Sequence, residues 1–118
     1  MNSKFLVYAV VVVLHTGLLR GTIKEITCVE DYNRVKNATK PTVIVFNSPS
    51  CDACTRMEPF INAASDNPEY EGVDFYSINT QEEALKELPK SEKIPAYPTT
   101  LFIKPGKEPR RERGGMSQ

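Results

Sequence analysis

The residues of this chain best suited to chemistry are two cysteines two positions apart, Cys51 and Cys54, in the stretch "VIVFNSPSCDACTRMEPF". A Cys-x-x-Cys pair has three ordinary uses: a dithiol that cycles to a disulfide, half of a metal site, or a covalent staple. Structural zinc takes four ligands, and the other candidates are Cys28 and His15, the latter inside an apolar N-terminal run. A disulfide between positions i and i+3 closes too short a loop to constrain the unfolded chain much. Redox chemistry is therefore the favoured reading, and no metal or organic cofactor is implied. Three cysteines are an odd number, so at least one thiol stays free or pairs with another chain. For Cys28 the alternatives are a small buried residue and an intermolecular disulfide.

The elements around the pair suit a reactive thiol. "TVIVF", Thr42 to Phe46, is a β-branched and aromatic run without alternation, as in a strand buried on both faces. Asn47, Ser48, Pro49 and Ser50 are turn formers, and from Cys51 the pattern becomes helical, with Met57, Phe60, Ile61 and Ala64 on one side and Pro59 inside. Cys51 thus falls at a helix N-terminus, where unpaired amides and the helix dipole favour a thiolate, the species that attacks disulfides. Cys54 lies one turn on, close enough to resolve a mixed disulfide. Asp52 opposes the dipole and makes the thiolate more costly, which predicts a reducing-to-intermediate potential.

Further elements can be placed on the same grounds. Thr22 to Thr27 reads as an edge strand, and Thr27 with Glu30 as a capping box for a helix bearing Val29, Tyr32 and Val35. Gly72 to Ile78 reads as another strand. A short helix after Thr80 has Glu83 in its capping box and Leu85 and Leu88 inward. Thr99 to Lys104 reads as a strand, followed by a Pro-Gly turn and a charged final strand. Strands alternating with helices and ending in a hairpin imply an α/β layer with a mixed sheet.

Bulk properties set the class. The 118 residues suffice for one domain. Fifteen basic and fifteen acidic residues cancel, so no overall charge points to nucleic acid as a partner. Residues 1–21 differ from the rest. Lys4 precedes an apolar run from Phe5 to Leu14, which fits a cleavable signal, an uncleaved signal-anchor, or a buried element of the domain. The expected organisation is a hydrophobic signal or anchor segment over 1–21 and one domain over 22–118. Asn37-Ala38-Thr39 is a glycosylation sequon, usable only in an oxidising lumen. The C-terminal hairpin carries Lys104, Lys107, Arg110, Arg111 and Arg113 against Glu108 and Glu112. Its charge protects an edge strand or meets anionic headgroups or an acidic partner.

The stretch "VIVFNSPSCDACTRMEPF" resembles the active-site signature of thioredoxins and protein disulfide isomerases, with Phe46 five residues before Cys51 and Pro59 five after Cys54. "AYPTTLFIKPGK" resembles that family's second signature, which implies a cis-proline at Pro98 facing Cys51 and a Tyr97 backbone that pairs with extended substrate. Gly114 resembles the glycine that closes the last strand. The resemblance implies a thioredoxin-like mixed β-sheet flanked by helices. It also implies a nucleophile at Cys51 and a resolving thiol at Cys54. The implied partners are disulfide-bearing protein substrates and an unidentified dithiol electron donor.

The departures are specific. Ser50 stands where the family carries tryptophan, and Val45 and Ser77 stand where it carries a buried acid and its lysine partner. Only "MSQ" follows the glycines, so the fold is expected to be truncated after the last strand, with one sheet face open to a membrane or assembly partner or to the N-terminal segment. Ser50, Asp52 and Ala53 are expected to modulate the cysteines. Tyr97 lines the groove or packs beside its proline. The leading expectation is a thiol-disulfide oxidoreductase of reductase or isomerase type, membrane-associated or in the secretory lumen. The alternative is a non-enzymatic structural or binding module in a membrane-associated or virion-like assembly.

Overall fold

The computed structural model describes residues 23–114. In chain order the elements are β1 (Ile23–Ile26), α1 (Val29–Lys36), β2 (Thr42–Asn47), α2 (Asp52–Asp66), β3 (Asp74–Asn79), α3 (Leu88–Ser91), β4 (Thr99–Ile103) and β5 (Arg110–Arg113). Single 3-10 turns occupy Pro68–Tyr70 and Glu83–Leu85. The five strands form one mixed sheet in the order β1-β3-β2-β4-β5. β3 runs parallel to both β1 and β2, whereas β4 is antiparallel to β2 and to β5. Thr42 to Phe46 are all buried, as the unalternating run predicts for a strand covered on both faces.

Each face of the sheet has its own core. α1 and the segment from Leu85 to Leu88 cover one, where Tyr32 meets Phe46 edge to face with ring centroids 5.8 Å apart. α2 covers the other, packing Met57 and Ile61 on Val43, Val45 and Phe75. Burying a side chain of that size contributes about 1.5–3 kcal/mol. Among the described residues the cover over the α2 face is partial: Ile23, Val73 and Phe102 are half-buried. Phe60 is 48% exposed, beside the inward stripe rather than in it, and Val29 is 39% exposed. Two residues expected to face inward on α1 and α2 therefore do not.

Two expected caps are also replaced. α1 begins after Cys28, not Thr27, because the Cys28 carbonyl accepts the first helical bond from Tyr32 N–H at 3.1 Å; no capping box forms. Thr80 starts no helix. Its hydroxyl and amide both donate to the Asn47 carbonyl, at 2.8 and 3.0 Å, and tie the ends of β2 and β3 together. Glu83 opens a 3-10 turn, and the expected helix is split in two. Pro89 explains the split: it lacks an amide and its ring would clash with the carbonyl four residues back, at Leu85. Leu85 and Leu88 still point inward and are buried.

The charged hairpin lies at the sheet edge as predicted, and part of its charge is engaged within the fold. Arg111 donates to the carbonyls of Glu92 and Lys93 at 2.6 and 3.2 Å. The Glu92 carboxylate is 3.0 Å from Lys36 Nζ and 3.8 Å from Arg111. This cluster holds β5, the end of α1 and the loop after α3 together. Lys93 sits there at φ 56°, a left-handed conformation unusual for a side-chain-bearing residue. Among the described residues no helix is long and apolar enough to cross a membrane. The expected signal or anchor segment and the residues after Gly114 lie outside the described part.

Candidate functional site

Cys51 is the N-cap of α2. Its backbone is extended, with φ −112° and ψ 107°, and its sulfur accepts a hydrogen bond from Cys54 N–H at 3.0 Å. A helix leaves its first amides without internal partners, and here a sulfur satisfies one of them. The Cys51 carbonyl accepts from Thr55 N–H at 3.2 Å, so backbone and side chain both belong to the cap. Cys51 and Cys54 are joined in a disulfide with their Cα atoms 5.2 Å apart. The two sulfurs differ in access: Cys51 is half-buried, while Cys54 is only 8% exposed. This is the asymmetry that dithiol exchange requires, with one sulfur reachable from outside and the other behind it.

The sheet places the second signature at the same end. Thr99 pairs with Phe46 across β4 and β2, so Pro98 lies at the end of β2 where the turn to Cys51 begins. The Tyr97–Pro98 peptide is cis, and Pro98 is buried. Its carbonyl accepts from Gly114 N–H at 2.8 Å, and Thr99 hydroxyl donates to the Ala96 carbonyl at 2.6 Å. Gly114 itself has φ 77°, which a side-chain-bearing residue rarely adopts. The half-buried Tyr97 side chain packs against the core cluster that contains Tyr32 and Phe46.

The residues expected to modulate the cysteines differ in exposure. Ser50 and Asp52 are exposed and Ala53 is half-buried. Pro59 lies inside α2 as expected. Cys28 is a half-buried thiol outside any disulfide. It caps α1 at the end of β1, two strands away from β2 in the sheet. Asn37 is exposed at the far end of α1, at the pole of the sheet opposite Cys51. Among the described residues no three His, Cys, Asp or Glu side chains gather as metal ligands would.

Behind the disulfide is an open groove of about 510 Å³. Its floor includes Val45 and Ser77, which are register partners on β2 and β3, and Cys54 forms part of its wall. Neither floor residue carries a charge. Two carboxylates do reach the groove, Glu58 from α2 and Glu25 from β1, and the sequence reading had overlooked both. The spacing from Cys54 to Glu58 is i to i+4, one helical turn on the same side. That spacing was the available signal.

Comparison with known proteins agrees with this geometry. The match to thioredoxin H2 of Arabidopsis thaliana is 32% identical over 77 residues, 65% of this chain and 55% of that protein. The chain therefore spans only about half the length of that relative. The structure of Malassezia sympodialis thioredoxin aligns with a TM-score of 0.73 at 27% identity, covering 82% of this chain and 83% of that one. The Nicotiana alata thioredoxin NaTrxh aligns at 0.68 and 31% identity, covering 82% and 84%. The thioredoxin family model matches residues 24–118, from β1 to the C-terminus. A disulfide at the head of α2, a cis-proline opposite it and this match lead to one conclusion: the chain belongs to the thioredoxin family and carries that family's redox disulfide.

Proposed function

We propose that this chain is a protein-disulfide oxidoreductase of reductase or isomerase type, with Cys51 as nucleophile and Cys54 as resolving thiol. The observation that carries the reading is the unequal access of the two sulfurs, with the more exposed one capping α2. In the reduced protein the Cys51 thiolate attacks a substrate disulfide, forms a mixed disulfide and expels one substrate thiolate. Cys54, deprotonated, then attacks Cys51 Sγ and expels the second. The substrate gains two electrons and the protein regains its Cys51–Cys54 disulfide, which an external dithiol must reduce. The Tyr97 backbone beside Pro98 is the segment suited to pair with an extended substrate. Ser50, Asp52 and Ala53 border the nucleophile, and the acid at Asp52 favours the reducing direction. The apolar stretch Phe5–Leu14 supports a membrane-associated or lumenal location.

The test is reduction of insulin by the chain with dithiothreitol as donor, alongside Cys51→Ser and Cys54→Ser. Turnover abolished in Cys51→Ser, with mixed disulfides accumulating in Cys54→Ser, is the expected result. A second reading, a non-enzymatic module whose disulfide is a staple, is favoured by one observation: neither Val45 nor Ser77 offers an ionisable group to Cys54. Wild-type protein inert towards insulin would decide for it.

A further inference from the structure

The exchange reaction needs Cys54 to lose a proton, and Cys54 is almost fully buried. Val45 and Ser77, strand residues that share the groove with it, cannot take that proton at neutral pH. A thiol of ordinary acidity, near pKa 8.5, is only a few per cent ionised at pH 7. Without an acceptor, resolution of the mixed disulfide would be slow.

We infer that Glu58 is the proton acceptor for Cys54, acting through water held in the groove between α2 and the β1–β3 side of the sheet. Three observations carry this. Cys54 and Glu58 line the same groove, one helical turn apart on α2. The groove's volume of about 510 Å³ far exceeds the ~10–15 Å³ that one water requires. Its walls also present the polar side chains of Asn47, Thr55, Asn62 and Ser77, enough partners to hold bridging water. Thr55, Glu58 and Asn62 follow one another at helical spacing along one flank of α2, above the uncharged floor.

The other titratable group in the groove is Glu25. It pairs with Ser77, and Ser77 pairs with Val45, so Glu25 stands two strands from β2. At about 4.8 Å per strand that is roughly 10 Å to the side, whereas Glu58 is on the helix of Cys54 itself. β2 and β3 contribute no titratable side chain to the groove, only Val45, Asn47 and Ser77. The proton balance closes. Glu58 accepts the Cys54 proton through water as the Cys54 thiolate attacks Cys51 Sγ, and the proton passes on to the departing substrate thiolate. The inference rests on the redox reading above, and it gives an acceptor to a site that lacks one on β2 and β3.

The test is stopped-flow oxidation of the reduced full-length chain by oxidised glutathione, in a Cys28→Ser background so that only the pair reacts. The rise of rate with glutathione concentration reports attack by Cys51, and the plateau reports resolution by Cys54. Glu58→Gln is expected to lower the plateau at pH 7 on the order of tenfold, with the initial rise unchanged. The deficit should shrink towards pH 9, where solvent deprotonates Cys54 without help, and Glu58→Asp should recover most of the plateau. Glu108→Gln, on the hairpin at the opposite pole, should match the wild type and so control for loss of a negative charge. A Glu58→Gln plateau equal to wild type at every pH overturns the inference while leaving the redox reading intact. Loss of the plateau in Glu25→Gln instead overturns it too. Wild-type protein that never releases the second glutathione overturns the redox reading and this inference with it.

Discussion

Replacing Tyr32 by phenylalanine tests how charge is arranged beneath β2, the strand that leads to Cys51. Tyr32 is fully buried against Phe46, and its hydroxyl completes no hydrogen bond. The Glu92 carboxylate lies close to the hydroxyl and acts on it chiefly through its charge. Burial first, and Glu92 second, hold the phenol well above its ordinary value near 10, with Arg111 opposing. The sign of the pH effect follows from this order. Below pH 10 the phenol is protonated in both folded and unfolded chains and has no effect on the pH dependence. Above pH 10 the unfolded chain releases the proton and the folded one keeps it, so stability falls as pH rises. The slope is about 1.4 kcal/mol per pH unit for one group.

Tyr32→Phe removes that slope. It also removes a buried hydroxyl without a partner, so near neutral pH the variant should be within about 1 kcal/mol of wild type. Urea unfolding of both proteins from pH 7 to 11 is the assay. The two stability curves should run parallel to about pH 9 and then separate, with the wild type losing about 1.4 kcal/mol more by pH 11. Glu92→Gln in the wild-type background should move the onset of phenol ionisation, read by ultraviolet absorbance, to lower pH. Burial remains, so the shift should be partial. Curves that stay parallel through pH 11 would refute this account of Tyr32.

Three further outcomes follow from the same structure. Asp52→Asn removes the acid in the first turn of α2 and should speed alkylation of the reduced Cys51 at pH 7 about two- to fivefold; an unchanged rate would show that Asp52 does not act on the thiolate. Met57→Ala should destabilise by about 2–4 kcal/mol and Phe60→Ala by less than about 1 kcal/mol, because the first is buried on the sheet and the second half exposed. Equal costs in urea unfolding would mean that Phe60 is covered in solution. Synthesis of the full chain with microsomal membranes should give a glycosidase-sensitive mobility shift that Asn37→Gln abolishes; an unshifted product would count against a lumenal location.

The local chemistry of the site was legible because it depends on neighbours along the chain. The β-branched run before a polar turn, the cysteine spacing and Pro59 each act through neighbours along the chain, whereas the cis-proline ahead of Thr99 was legible only through the resemblance to thioredoxins. Burial of Thr42–Phe46 likewise follows from having no polar face to turn outward. Thr27 and Thr80 misled for a related reason. A hydroxyl beside a helix-like pattern looks like a cap, yet Thr80 is close to the Asn47 carbonyl once β2 and β3 pair and bonds there instead. Pro89 is visible in the sequence, and its ring breaks the helix at the turn before it.

By itself, then, the sequence determined the strand, turn and helix that present Cys51 and Cys54. It could do so because backbone preferences and i to i+3 spacing act within a few residues. Only the tertiary structure decided which groups far apart in the chain share a space. Sheet register sets Ser77 beside Val45 and Glu25 beyond it. Helix packing opens the groove that joins Glu58 to Cys54. The closing of β5 brings Arg111 to Glu92 and Lys93. Such neighbours are chosen by how side chains fill volume between layers, a property of the assembled sheet and helices and of no single stretch.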